Sequence, residues 1–220
     1  MKISLSDIGK RFNRDWIFRH CSYTFEQGVA YAITGPNGSG KSTLLQIIGG
    51  SLIPSEGALS WQESMGNGPA AAAGPLPIEP DKVYAYMSIA APYLEVIEEM
   101  TLPEFLSFHA GFKTWVPGVS TRDIIAQIGL GAYPDKQIRY FSSGMKQRVK
   151  LAQAIFSDTP LLLLDEPCTN LDKEGYELYH RLIATYAKDR LVIVSSNDPD
   201  EYDFCGKVLA VSDFKSHGNG

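Results

Sequence analysis

Short apolar runs alternate with segments of helical spacing along most of the chain. The runs that predict strands are VAYAIT (29–34), KVYAYM (82–87), LLLLD (161–165), LVIVSS (191–196) and VLAV (208–211). Because these runs are nearly continuous in apolar residues and are separated by helical patterns, they predict a parallel sheet that is covered on both faces. The N-terminal segments KISLSDIGKRF and CSYTFEQG predict antiparallel strands beside that sheet.

The strand pattern stops between residues 89 and 155, where helical spacing replaces it. TLPEFLSFHAGF and STRDIIAQIGL predict helices, the second capped by Ser120 or Thr121 and ended by Gly129. We therefore predict one domain over residues 1–220, with a core at about 1–88 and 156–212 and a helical insert at about 89–155. A stretch rich in Gly, Ala and Pro predicts a flexible loop at about 64–80, and a frayed tail is expected at 214–220.

Composition and charge narrow the class of protein. The formal net charge is −5, which argues against a nucleic-acid partner because such partners usually require a basic surface. Cys21, Cys168 and Cys205 are odd in number and widely spaced, so they predict neither a disulfide framework nor a zinc site and favour a reducing, cytosolic compartment. No segment has the roughly 18 consecutive apolar residues of a membrane-spanning helix. A function at a membrane would therefore need a second, membrane-embedded chain.

The stretch GPNGSGKST (35–43) fits the pattern G-x-x-x-x-G-K-[ST], between an apolar strand and a helix. Glycines in such a loop let successive backbone N–H groups face a polyphosphate, and the helix N-terminus adds a positive dipole. Lys41 would reach the β- and γ-phosphates, and the Ser42 hydroxyl would bind Mg²⁺. The alternative is a glycine-rich turn without a ligand. We predict ATP and Mg²⁺, with nucleotide contacts from Gly35, Asn37, Gly38, Ser39, Gly40, Lys41, Ser42 and Thr43.

Two carboxylates end the apolar run LLLLDEP. Asp165 would end a strand that is buried on both faces, where a carboxylate needs a partner, and a Mg²⁺ ion beside Ser42 would supply one. Glu166 could polarise the water that attacks the γ-phosphate. The alternative is that an Asp-Glu pair merely ends the strand.

The segment RYFSSGMKQRVKLAQAI (139–155) passes from a loop into an amphipathic helix at Ser142, Ser143 and Gly144. Serine often caps a helix at such a place. A helix N-terminus that presents a hydroxyl and free N–H groups can also bind an anion. The pattern therefore leaves two roles open for Ser142, a cap or a phosphate ligand.

The order of these motifs closely resembles that of the ATP-binding-cassette (ABC) ATPases over essentially the whole chain. The motifs are the phosphate loop, the helical insert, the serine-glycine turn, LLLLDEP and TNLD. The resemblance implies an α/β P-loop NTPase core with an N-terminal antiparallel part. In that family the turn, usually Leu-Ser-Gly-Gly-Gln, contacts the γ-phosphate of ATP held by the other protomer. This implies that Ser142 and Gly144 bind ATP across a dimer while Ser142 also caps its helix, although Ser143 and Met145 depart from the usual turn.

Two further roles follow from the resemblance, each with an alternative. TNLD (169–172) resembles the D-loop at the dimer seam, where Asp172 would contact the phosphate loop of the partner; it is equally well read as a turn that caps the next helix. The aromatic residue that stacks on adenine matches Phe12 best, with Trp16 close behind. Exposed aromatics near strand ends are also commonly packing residues.

The chain departs from the family at two places. The glutamine expected after the KVYAYM strand does not occur in residues 88–99, where Ser88 could offer a hydroxyl. The histidine expected after LVIVSS is replaced by Asn197, whose amide can donate a hydrogen bond to phosphate but cannot carry a proton. Since Glu166 is retained, we expect real but slow ATP hydrolysis with Glu166, Lys41 and Asn197 as catalytic residues.

The leading hypothesis is an ATP-hydrolysing subunit of an ABC membrane transporter. As a homodimer or with a related ATPase chain, it would close around ATP and drive a transmembrane permease docked near PYLEVIEEMTLPEFLSF (92–108). It would then lie in the cytoplasm, peripheral to the inner face of the cell membrane. A soluble ABC-type ATPase acting on nucleic acid or ribosomes and a weakly hydrolysing regulatory switch are the alternatives, the first disfavoured by the acidic charge.

Overall fold

The computed structural model describes residues 1–63 and 76–214. Within them, a parallel sheet has the spatial order β6 (Met87–Ala90), β7 (Leu161–Asp165), β8 (Leu191–Ser195), β3 (Ala30–Thr34) and β9 (Lys207–Ala210). An antiparallel sheet has the order β2 (Asp15–Glu26), β1 (Lys2–Phe12), β4 (Glu56–Gln62) and β5 (Pro77–Ile78). The predicted α/β fold class, a mostly parallel core with an antiparallel N-terminal part, is confirmed.

The helices of the described chain are α1 (Lys41–Ile48), α2 (Leu102–Ala110), α3 (Thr121–Gln127), α4 (Ser143–Ile155) and α5 (Lys173–Tyr186). Of the two predicted candidates for the cap of α3, Ser120 is the N-cap and forms a capping box, and Gly129 adopts a φ of 73° just beyond the helix. Thr101, which was not predicted, forms a capping box at the N-terminus of α2. Local capping chemistry therefore accounts for the starts of α2 and α3 and for the end of α3.

Two hydrophobic cores lie on opposite faces of the parallel sheet. Leu162 and Leu164 of β7 pack into the core shared with α4 and α5, whereas Leu161 and Leu163 pack into the core shared with α1 and the antiparallel sheet. Successive strand residues point to opposite faces, so a strand buried on both sides must be apolar throughout. This explains the uninterrupted leucine run.

Three details of the prediction are corrected. The KVYAYM strand is wrong: residues Pro80–Tyr86 form a 3₁₀ helix, and the strand is Met87–Ala90. β5 lies inside the stretch predicted as a flexible loop, and its Ile78 pairs with Trp61 of β4. Residues 64–75 of that stretch are outside the described residues. Of the predicted tail, Phe214 belongs to a 3₁₀ helix and residues 215–220 are outside the described chain. The domain limits stay a prediction.

All neighbouring strands of the five-stranded sheet are parallel, so their carboxyl ends share one edge. The loops that follow β3, β6, β7 and β8 therefore meet there, which is where α/β proteins usually bind ligands. In residues 1–63 and 76–214, no helix has both the length and the apolar character needed to cross a membrane.

Candidate functional site

The phosphate loop connects β3 to α1 and requires glycine at specific places. Gly35, Gly38 and Gly40 adopt φ values of 144°, 75° and 105°. At Gly40 a Cβ atom would lie 2.4 Å from Cγ2 of Ile17, so a side chain is excluded by space as well as by conformation. The loop is therefore held tightly against β2.

Lys41 is 5% exposed and its ammonium group turns back into the loop. Its Nζ donates to the carbonyl oxygen of Gly35 at 2.9 Å and to that of Pro36 at 3.5 Å. Among the described residues, Lys41 forms no ion pair with a carboxylate. A buried cation held only by carbonyl oxygens is well placed to bind an incoming anion.

A cavity of about 360 Å³ lies over this loop. Glu166, which follows β7, faces the same cavity, so the structure brings this carboxylate to the phosphate loop. The lining residues are Ile17, Asn37, Gly38, Gly40, Lys41, Ser42, Thr43 and Glu166. Gly35 and Ser39 are not among them, and Ser39 is fully buried, so nucleotide contacts from these two residues stay a prediction.

The surroundings of the Asp165 carboxylate show whether this residue suits a metal ion. Its carboxylate is 2% exposed, and Oδ1 is buried without a hydrogen-bond partner among the described residues. A buried carboxylate oxygen normally has a partner, so an unpaired one at the edge of a phosphate site is a suitable ligand for a cation. Mg²⁺ is usually held by one or two protein groups and by substrate phosphates, which matches the predicted pair Ser42 and Asp165.

Glu166 has an unusual backbone conformation. Its φ is 43°, a value that costs a residue with a side chain about 1–3 kcal/mol. Its N–H donates to the carbonyl oxygen of Ser195 at 2.8 Å, which fixes the turn against β8. This turn directs the Glu166 side chain towards the cavity instead of along the strand.

Asn197 follows β8 and reaches the same loop. Its Nδ2 donates to Oδ1 of Asn37 at 2.9 Å, and Asn37 lines the cavity. The side chain is exposed, so it is accessible to a ligand. The structure thus brings Asn197 to the predicted site, while its role toward phosphate stays a prediction.

Ser142 is the N-cap of α4, and its hydroxyl accepts a hydrogen bond from the N–H of Met145 at 3.2 Å. The predicted cap is confirmed. The turn also borders a second cavity, of about 390 Å³. This cavity is lined by Gly129, Leu130, Tyr133, Ser142, Ser143, Gly144, Met145, Arg148, Asn170, Leu171 and Asp172.

The serine turn and the TNLD loop are in close contact. A Cβ atom on Gly144 would lie 3.0 Å from the carbonyl oxygen of Asn170, so only glycine allows this approach without a shift. Asp172 caps α5 by accepting from the N–H of Gly175 at 2.9 Å, and it lies 3.6 Å from Arg148. The capping alternative for Asp172 is thus confirmed, and its contact with a partner chain stays a prediction.

The two cavities have no lining residue in common. The phosphate-loop cavity contains Lys41 and Glu166 but not Ser142, and the serine-turn cavity contains neither Lys41 nor Glu166. The predicted nucleotide ligands therefore do not form one cavity within a single chain.

The aromatic candidates lie outside the lining of the phosphate-loop cavity. Phe12 is 47% exposed at the end of β1, with Nζ of Lys10 5.2 Å from its ring centroid. Trp16 is covered by the guanidinium of Arg19 at 4.3 Å. Ile17 is the residue of this hairpin that lines the cavity, so stacking by Phe12 stays a prediction.

The junction after β6 differs from the expectation. Ser88 is at the start of the strand, away from the site edge, and its hydroxyl is used in a buried network: it donates to the carbonyl oxygen of Ala154 at 2.7 Å and accepts from Arg190 at 2.7 Å. The idea that Ser88 serves the metal site is therefore wrong. Tyr93 lies three residues beyond the carboxyl end of β6, and burial of its ring raises its pKa. Sequence reasoning did not single out Tyr93, although a position just after a parallel strand was a usable signal.

Comparisons with known proteins agree with this geometry. The family described as ABC transporter matches residues 18–169. An uncharacterised ABC transporter ATP-binding protein, YybJ of Bacillus subtilis, is 28% identical over 218 residues that cover 96% of this chain and 92% of YybJ. The cytochrome c biogenesis ATP-binding export protein CcmA of Agrobacterium fabrum is 28% identical over 203 residues, 90% of each chain.

Solved structures show the same fold. A putative ABC transporter ATP-binding protein from Pyrococcus furiosus aligns with a TM-score of 0.78 at 21% identity, over 98% of this chain and 100% of that protein. The dimeric ABC transporter cassette MJ0796 aligns with a TM-score of 0.75 at 20% identity, over 94% of this chain and 93% of MJ0796. Because the family model matches more than half of this chain, the chain belongs to the ABC transporter family and is an ATP-binding subunit of that family.

Proposed function

We propose that this subunit hydrolyses ATP in a site shared by two chains and thereby drives a transmembrane permease. The observation that carries the proposal is the cavity in which Glu166 faces Lys41 and the phosphate loop. A general base and a cation on the same cavity suit hydrolysis of a terminal phosphate bond.

Each residue has a defined task. The backbone of the loop from Gly35 to Gly40 and the N-terminus of α1 bind the phosphates, and Lys41 exchanges its carbonyl partners for phosphate oxygens. Glu166 accepts a proton from the attacking water, and Asn197 donates a hydrogen bond to the γ-phosphate. Because an amide cannot carry a proton, we expect the hydrolysis rate to be low.

Ser42 and Asp165 would hold Mg²⁺. When bound, this ion neutralises charge on the β- and γ-phosphates during cleavage. The support from the structure is the unpaired buried oxygen of Asp165.

The second chain supplies the serine turn. Ser142 and Gly144 lie on a separate cavity from Lys41 and Glu166, so a partner is needed to bring both sets of residues to one nucleotide. We propose that two copies of this chain close around two ATP molecules; a related chain with the same motifs would serve equally. The dimer reported for MJ0796 is consistent with this arrangement.

The permease would dock on the helical insert. Phe108 and Phe112 are 46% and 72% exposed there, and their rings contact each other with centroids 5.0 Å apart. Apolar rings left exposed at a helix end are suited to bury against a partner. Through this contact the subunit would be held at the cytoplasmic face of the membrane, and no nucleic-acid partner is proposed.

The proposal is tested by single-turnover cleavage of ATP with enzyme in excess. We expect Glu166→Gln to slow cleavage by roughly a hundredfold or more, because general bases typically contribute that much. Glu177→Gln, which changes an exposed carboxylate on α5, is the matched control and should leave the rate unchanged. Equal rates for the Glu166 variant and the unmodified chain would remove Glu166 from the mechanism and leave a nucleotide-gated binding protein.

A further inference from the structure

Glu166 belongs to a short turn whose backbone is held at three consecutive residues. We call Glu166, Pro167 and Cys168 the Glu166 turn. The N–H of Glu166 donates to the carbonyl oxygen of Ser195, and two buried side chains hold the other two residues. A residue with a φ of 43° keeps that conformation only where its surroundings fix it. The two side-chain contacts are therefore candidates for this constraint.

The first contact comes from Gln147 on α4. Its Nε2 donates to the carbonyl oxygen of Pro167 at 2.6 Å, and the residue is 4% exposed. A buried amide normally has a hydrogen-bond partner, and loss of this amide would leave the Pro167 carbonyl without its donor. The helix that begins after the Ser142 cap thus also supports the residue next to Glu166.

The second contact comes from Glu201, in the segment that follows β8. Its Oε1 accepts a hydrogen bond from the N–H of Cys168 at 2.7 Å, and the residue is 4% exposed. Burial raises the pKa of Glu201, so the fold keeps an acidic side chain where burial disfavours its charged form. Buried polar groups are usually retained in hydrogen bonds, and here the bond is to the turn that carries Glu166.

α5 fixes the segment that carries Glu201. The hydroxyl of Tyr179 donates to the carbonyl oxygen of Glu201 at 2.8 Å, and that of Tyr176 donates to Oδ2 of Asp198 at 2.7 Å. The Glu201 side chain therefore links a firmly held segment, which also contains Asn197, to the Glu166 turn. Neither Gln147 nor Glu201 lines the phosphate-loop cavity, so an effect of either on ATP cleavage would have to pass through other residues.

We propose that Gln147 and Glu201 are positioning residues for ATP cleavage: their hydrogen bonds to Pro167 and Cys168 hold the Glu166 turn so that the Glu166 carboxylate faces the cavity. This inference rests on the proposed function, because it needs Glu166 to act as the general base. It assigns both residues a share in the rate of cleavage and none in nucleotide affinity.

The test compares single-turnover cleavage of ATP with equilibrium binding of a non-hydrolysable ATP analogue. Glu201→Ala and Gln147→Met, the second of which keeps an unbranched side chain, should each slow cleavage roughly tenfold or more, since a small displacement of a reacting group is costly. Binding of the analogue in Mg²⁺ should stay within about twofold of the unmodified chain, because the phosphate ligands are untouched.

Two further variants show whether the hydrogen bond itself matters. Glu201→Gln keeps an acceptor oxygen at the same reach and should restore cleavage to within about threefold of the unmodified chain, since a neutral acceptor forms a weaker bond. Asp200→Ala is the matched control, because it removes an exposed carboxylate from the same 3₁₀ segment, and it should leave the rate unchanged.

A double-variant comparison shows whether the two residues act through Glu166. In the Glu166→Gln background, adding Glu201→Ala should change the residual cleavage by less than about twofold, because the group that Glu201 positions is already lost. General damage to the fold would instead slow cleavage by the same factor in both backgrounds.

The outcomes separate this inference from the proposed function. Cleavage by Glu166→Gln as fast as by the unmodified chain would overturn both. Slow cleavage by Glu166→Gln, with unchanged rates in Glu201→Ala and Gln147→Met, would overturn the role of the two positioning residues and leave the proposed function intact. Loss of analogue binding in step with cleavage would also overturn that role. Should Glu201→Ala not fold, Gln147→Met decides the question by the same measurements.

Discussion

At the scale of single residues, the site depends on backbone conformations that the sequence marks with glycine. The pattern of the phosphate loop was sufficient to predict Gly35, Gly38 and Gly40 as turn residues, and all three have positive φ. It was not sufficient to show that Gly40 also contacts Ile17, because β2 and the loop are far apart in sequence.

Gly40→Ala should therefore damage the loop. A Cβ there would meet Cγ2 of Ile17 at 2.4 Å in a conformation that favours glycine. We expect a loss of at least about 2 kcal/mol in the free energy of unfolding, or roughly 4–8 °C in melting temperature for a domain of this size. Gly131→Ala is the control, because a Cβ at Gly131 has open space around it. Equal melting temperatures for the two variants would show that the contact with Ile17 is not tight.

The residues that follow the parallel strands were predictable only where the strand itself had been placed correctly. Glu166 and Asn197 follow uninterrupted apolar runs, so their positions were readable from the sequence. Tyr93 was missed because the strand before it was placed five residues too early, over a segment whose alternating apolar residues belong to a 3₁₀ helix. With β6 at Met87–Ala90, the residues that follow it leave the carboxyl end of the strand beside the end of β7.

At the scale of elements, α4 begins at a residue with two predicted roles. The cap at Ser142 follows from local chemistry, whereas a phosphate contact needs a second chain. The two roles can be separated because aspartate caps a helix as well as serine does but repels phosphate.

Ser142→Asp should keep the free energy of unfolding within about 0.5 kcal/mol of the unmodified chain, because the acceptor for the Met145 N–H is retained. It should also abolish ATP-dependent dimerisation, measured by light scattering in the Glu166→Gln background. Ser120→Ala removes the cap of α3 and should lower stability by about 1 kcal/mol without affecting dimerisation. Normal dimerisation of Ser142→Asp would reduce the serine to a helix cap.

His109, near the C-terminus of α2, should make the free energy of unfolding depend on pH. His109 is held by Ser157 at 2.9 Å and stacks on Trp115 with centroids 5.1 Å apart. Burial, with the charge of Lys113, lowers the pKa of His109 to about 4 from 6.5, so burial outweighs the helix C-terminus, which favours a cation.

Because the folded state binds this proton more weakly than the unfolded state, stability falls as the pH falls from 6.5 towards 4. The loss is at most about 3 kcal/mol. Chemical denaturation at a series of pH values checks this, and His109→Gln should flatten the profile in that window. An unchanged profile in the variant would assign the acid sensitivity to other groups.

At the scale of the whole molecule, the fold class was predictable because both faces of the parallel strands are apolar and the N-terminal segments are not. Strand order was not predictable from the pattern, since β3 lies between β8 and β9 in space although it comes first of the five in sequence. This order brings the loops after β3, β6, β7 and β8 to one edge and leaves the serine turn on another cavity. A single chain thus carries the phosphate loop and the serine turn, the two proposed halves of a nucleotide site, on separate cavities.

The most direct test of a site shared by two chains mixes two variants that are each expected to be inactive. Lys41→Ala lacks a working phosphate loop, and Ser142→Asp lacks a working serine turn, so each alone should show little ATP cleavage in a single-turnover assay. If sites form between two copies, random pairing makes half of the dimers mixed, each with one intact site, and the mixture should recover about a quarter of the unmodified activity. A mixture no more active than the separate variants would contradict the account.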